Sequence, residues 1–158
     1  MNLLLWLRRF RHRCGYGIHS PWVYTLVSDV ILQRMPYYAY DSLPDVEGWR
    51  RKDLQLLLRL ANHFQPDEVE VKGYGKLSAD WLKAGRREFA LSYTEGMPPL
   101  ITLKRSGGTV CLIMHDCRSA QWREARAEQD CVSLDLHYLG LIYRGLPLPP
   151  QHHKICYT

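Results

Sequence analysis

From Glu68 onward the chain alternates short apolar runs with glycine turns and helix-spaced segments. Residues 68–71 read as a strand, followed by the turn Gly73-Tyr74-Gly75 and a helical stretch over 78–84 that stops at Gly85. Residues 88–93 read as a second strand, 99–105 as a short helix, and 109–114 as a strongly apolar strand after the turn Gly107-Gly108. A helix over 119–129 follows, with Trp122 and Ala125 on its inner side. Residues 132–137, 140–144 and 154–157 are further strands, the last two expected to form a hairpin around the proline-rich stretch 145–153. Such alternation predicts an α/β fold with a mostly parallel sheet and helices on both faces.

Ahead of this core the pattern is helical. Ser20 is a good N-cap, and Pro21 suits the first helical position, where a missing N–H costs nothing. Val23, Leu26, Val27, Val30 and Ile31 recur at helical spacing before Pro36. A third helix spans 53–64, apolar enough to be well buried, with Pro66 behind it. The chain thus divides into an N-terminal helical region, 1–65, and an α/β core, 66–158, expected to fold together as one unit. At 158 residues one domain is the natural expectation.

Residues 2–13 carry Leu4, Leu7 and Phe10 on one side and Arg8, Arg9, Arg11 and Arg13 elsewhere. That segment is either a basic foot for nucleic acid or an anionic surface, or a helix packed on the domain with its arginines in water. Arg50, Arg51 and Lys52 add a second basic cluster to a formal net charge of +5. The apolar start precedes its arginines, the reverse of a secretory signal, and is far too short to span a bilayer. Five cysteines without a CxxC pair point to reduced thiols rather than a disulfide framework or zinc site. Together these predict a cytoplasmic protein with no membrane span and no structural metal.

Three places could carry chemistry. Glu70 to Gly75 is a strand, glycine turn and helix, the arrangement that holds nucleotide-type cofactors, although a plain strand-to-helix turn has the same spacing. Glu95 follows the second strand, where an acid can accept hydrogen bonds from both ribose hydroxyls; a solvated loop glutamate is the alternative. His115 and Asp116 end the apolar strand, where ligands bind in open α/β sheets, and such a pair suits acid–base work or a share in a metal site; a polar loop or helix cap is the alternative. Tyr37, Tyr38 and Tyr40 form an aromatic loop that either stacks on a ring or covers the core.

The stretch Arg13-Cys-Gly-Tyr-Gly-Ile-His-Ser-Pro21, with Pro36-Tyr-Tyr-Ala-Tyr40, resembles the N-terminal region of a Bacteroidetes-type group of bacterial class I S-adenosylmethionine (SAM) methyltransferases. The resemblance implies a Rossmann-like, methyltransferase-type sheet and SAM as cofactor. Glu70 would match the acid of the glycine-rich motif, Gly73 and Gly75 its turn, and Glu95 the ribose-binding acid. Asp116 would match one of the family's paired aspartates and His115 replaces the other, the two positioning or deprotonating an acceptor of unknown identity. Lys72 departs from the motif. The family has two more strand–helix units between Glu95 and the Val110 strand, whereas only residues 96–108 stand here. Thirteen residues cannot supply them, since one crossover takes a dozen or more. A narrower sheet of about five strands is expected, with the Val110 strand beside the Glu70 strand. Two functions follow: methyl transfer from SAM, or a non-catalytic module that keeps the scaffold and binds a protein partner, a second copy, or an anionic polymer.

Overall fold

A computed structural model describes Phe10 and residues 17–46, 48–74, 79–84, 88–97, 99–128 and 130–157. The first-helix expectation over 2–13, the four arginines within it, and Gly75 lie outside the described residues.

Helix α1 spans Pro21–Thr25 and continues as a π-helical turn over Leu26–Ile31. The Ser20 hydroxyl accepts the Val23 N–H at 3.4 Å, so the capping chemistry legible in Ser20-Pro21 sets its start. Helix α2, Arg51–Phe64, ends at Gln65 in the left-handed conformation, before Pro66. Arg59 fastens the two together. Its buried guanidinium donates to the carbonyls of Val30 at 2.7 Å and Ile31 at 3.2 Å, and to the Tyr40 hydroxyl at 2.8 Å. These carbonyls end a helix and have no partner within it, so the arginine satisfies groups that burial would otherwise leave bare.

The strands are β1 (Glu68–Lys72), β2 (Ala90–Thr94), β3 (Leu100–Lys104), β4 (Val110–His115), β5 (Cys131–Asp135), β6 (Leu139–Arg144) and β7 (Gln151–Lys154). Helix α3, Ala120–Ala127, lies between β4 and β5 and is N-capped by Ser119. The strands form one mixed sheet in the order β2-β1-β3-β4-β6-β5-β7.

Five expectations change here. The sheet has seven strands, not about five. Residues 100–104 are strand β3, not part of a short helix, because Ile101 and Leu103 alternate inward at the strand period. An antiparallel β3 then separates β1 from β4, so those two are not neighbours. The physical reason is the short link: thirteen residues cannot carry a crossover, but they suffice for one strand and a tight return through Gly107-Gly108. The sheet is consequently mixed rather than mostly parallel, since β1/β2 and β5/β7 are the parallel pairs and four neighbouring pairs run antiparallel. Finally, β6 pairs with β5 and β4, and β7 pairs with β5, so the hairpin expected between the last two strands does not form.

One core cluster joins α1, α2 and the turn Asp80–Ala84 to one face of the sheet, from Val23 through Val69, Ile113 and Leu141 to Tyr157. The helical region and the strand region therefore share that core. The opposite face carries a smaller cluster, Leu112, Met114, Ile142 and Cys131 under Trp122 of α3. Towards β1 this second face turns polar, with Glu68, Glu70 and Lys104 forming a ladder of charge. Among the described residues no helix is long and apolar enough to cross a membrane.

Candidate functional site

Strands β1 and β4 run the same way, and the register Lys72–Leu100–Met114 brings their carboxyl ends level. Gly73, Glu95, His115 and Asp116 consequently gather at one end of the sheet, where a doubly wound fold would hold a ligand. What occupies that end is a set of side chains. Trp49, from the segment before α2, lies on the His115 ring with centroids 3.9 Å apart. Tyr74 meets His115 edge-on at 5.8 Å and Trp49 at 5.2 Å. Next to them Asp53, buried in the first turn of α2, receives two bonds of 2.6 Å from Arg50, whose guanidinium lies 4.0 Å over the Tyr138 ring.

Burial beneath these rings lowers the pKa of His115, with nearby Asp53 acting against that and Arg50 with it. The neutral imidazole is therefore favoured. Burial also pushes the Tyr74 hydroxyl up to about 12, moderated by the His115 backbone. Burial thus opposes the charged form of both rings.

Asp116 lies just past the end of β4. Its backbone adopts a φ of 61°, and its N–H donates to the Tyr138 carbonyl at 2.9 Å. Its exposed carboxylate accepts the Arg118 N–H at 3.0 Å and Nε at 3.2 Å. The Arg118 N–H, and then its guanidinium, hold this carboxyl below the usual range. Asp116 thus shapes the turn that leads into α3, and a carboxylate stabilised this way is a weak base.

Glu70 lies on the other face of β1 from Val71. It accepts from Thr94 Oγ1 at 3.2 Å and pairs with Lys104 at 3.6 Å. It therefore ties three strands together on the open face, not on the face that carries Trp49 and His115. Gly73 has a φ of 71° and donates to the Thr94 carbonyl at 3.0 Å. A β-carbon there would collide with the Gly96 carbonyl oxygen and sit 3.1 Å from Pro99 Cα. The glycine is needed, but the backbone it lets in is the chain's own loop after β2. Glu95 is exposed in that loop.

The sequence reading missed Trp49, Tyr74, Arg50, Asp53 and Tyr138. It also counted Arg50, Arg51 and Lys52 as a free basic cluster. Arg50 is paired as above, and Arg51 donates to the Tyr40 carbonyl at 2.7 Å and lies 3.7 Å from Asp45. The Lys52 ammonium sits 5.5 Å over the Tyr157 ring. Among the described residues no three His, Cys, Asp or Glu side chains converge as a metal would require.

A second concavity lies away from this end. Pro36, Tyr37, Tyr38, Tyr40, Asp41, Arg51 and Gln55 line an open groove of about 490 Å³.

No family model, no curated protein and no solved structure matches this chain. What stands on the structure alone is a mixed α/β protein with a seven-stranded sheet.

Proposed function

We propose that this chain keeps a Rossmann-like, methyltransferase-type scaffold and works as a non-catalytic binding module. The observation that carries this reading is the Trp49–His115 contact, which fills the sheet end where an adenosyl group would lie. The loop closed on Gly73 supports it from the other side. SAM would need its methionine, ribose and adenine portions held together, because each polar contact contributes only ~0.5–1.5 kcal/mol net. Glu70 serves the open face, and Asp116 serves the turn before α3. His115 is covered.

Calorimetric titration with SAM tests the reading. No saturable heat is expected at ligand concentrations in the high micromolar range. A stoichiometric isotherm at micromolar affinity overturns it.

A second reading, SAM-dependent methyl transfer, is favoured by the positive φ of Asp116 at the end of a central strand, since strained backbone clusters at functional sites. It requires Trp49 to leave His115. Glu70, Gly73, Gly75 and Glu95 would then hold SAM, with His115 or Asp116 facing the acceptor. Transfer of a labelled methyl group to any cellular fraction would favour it over the first.

A further inference from the structure

The tyrosine groove has a chemistry of its own. Tyr38 is 87% exposed, and Met35 just before it is 66% exposed. Large apolar side chains held in water next to a groove mark contact surfaces for other proteins. Tyr37 and Tyr40 pack on one another with centroids 5.4 Å apart, and the Tyr40 hydroxyl and carbonyl are held by Arg59 and Arg51. The aromatic wall is thus fixed before anything binds. Among its polar members, the Gln55 amide, the Arg51 guanidinium and the tyrosine hydroxyls offer donors, beside the accepting carboxylate of Asp41. A rigid aromatic wall with donors along it suits a segment that has carbonyl acceptors and few N–H groups, which describes a proline-rich strand.

This chain displays such a segment. Pro147, Pro149 and Pro150 are exposed, while Leu146 and Leu148 between them are held against the core. Pro149 and Pro150 stand side by side, neither carrying an N–H, and the strap is braced by a bond of 2.8 Å from the Leu148 N–H to the Leu146 carbonyl, a tight turn at Pro147. Lys154 is exposed just beyond it and Asp41 is exposed in the groove wall, so these two carry opposite charge.

We propose that the tyrosine groove seats the proline strap, residues 146–150, of a second copy of this chain. Groove and strap are different surfaces, so the contact is head-to-tail and grows into a ring or short filament. The proposal concerns a site separate from the sheet end and holds or fails independently of SAM binding.

Sedimentation velocity on the full chain over a rising concentration series tests it, with Tyr38→Ala and Pro149→Ser. Both residues are exposed, and unchanged circular dichroism verifies the fold. Wild type is expected to show mass rising with concentration beyond the dimer, and each variant alone to stay monomeric. An equimolar mixture of the two variants is expected to form a dimer and stop there, because only one intact groove and one intact strap remain. A wild type that is monomeric up to about 1 mM, the weakest contact of interest, overturns the proposal. So does association that survives either variant, or a mixture that stays monomeric.

Discussion

The indole of Trp49 covers the imidazole of His115, with ring centres 3.9 Å apart and planes inclined by 41°. Sixty-six positions separate the two residues in sequence. Their contact decides whether the carboxyl end of β4 is a binding crevice or a packed layer.

Trp49→Ala removes the cover. Loss of a half-buried aromatic is expected to lower unfolding stability by about 2 kcal/mol, below the range for a fully buried ring. With water readmitted, the His115 pKa should rise towards 6.5, because burial is the main cause of its depression. Proton NMR titration of the imidazole reads this directly; an unchanged His115 pKa would show that Trp49 is not what shields it.

Arg59→Met leaves the carbonyls of Val30 and Ile31 bare at the end of the π-helical turn. A loss of about 2–4 kcal/mol in urea unfolding is expected, since bonds from a charged donor contribute more than neutral ones and buried acceptors would be stranded. Arg59→Lys should recover only part, because an ammonium cannot reach three acceptors in the guanidinium geometry. Full recovery with lysine would mean that charge alone matters there.

Gly140→Ala is expected to destabilise the sheet severely. A β-carbon on Gly140 would overlap the Trp122 ring, lying 2.8 Å from its Cη2 and closer still to other ring atoms. Overpacking of this kind costs about 1–3 kcal/mol or more. The double variant Gly140→Ala/Trp122→Leu should be less destabilised than the sum of its parts, as measured by a double-mutant cycle. Strict additivity would contradict the contact.

Stability should fall with acid from the histidine range downward. His63, His115, His152 and His153 all have pKa values below 6.5 in the folded chain, chiefly through burial. The unfolded chain then binds protons more readily, so unfolding is favoured as pH drops through about 6.5 and down to the folded values. Urea midpoints at pH 7.5 and pH 5.5 should differ in that direction, and His115→Gln should reduce the difference. A midpoint that rises on acidification would reverse the sign.

Much of the local structure was legible in the sequence because its causes are local. Ser20 and Pro21 mark the start of α1, and the apolar face of 53–64 marks α2. Ser119 and Trp122 mark α3. The 99–105 segment misled because proline at its start suits a helix, while Ile101 and Leu103 already alternated as in a strand. Strand pairing was not legible: β5 and β6 were foreseen roughly in place, whereas β7 occupies Gln151–Lys154 rather than 154–157, and which edge each joins depends on contacts far apart in sequence. The same holds for the site. That the ends of β1 and β4 come level was legible from the strand pattern, but Trp49 lies in the aperiodic stretch before α2, and no local signal tells that it crosses to His115.

The central proposal is that the rings of Trp49, Tyr74 and His115 stand at the sheet end in place of a cofactor. Nitrogen-15 NMR during titration with S-adenosylhomocysteine tests it residue by residue, at the backbone amides of Gly73, Tyr74 and His115. These three signals should stay in place up to millimolar ligand. Saturable, concerted movement of all three would contradict the account.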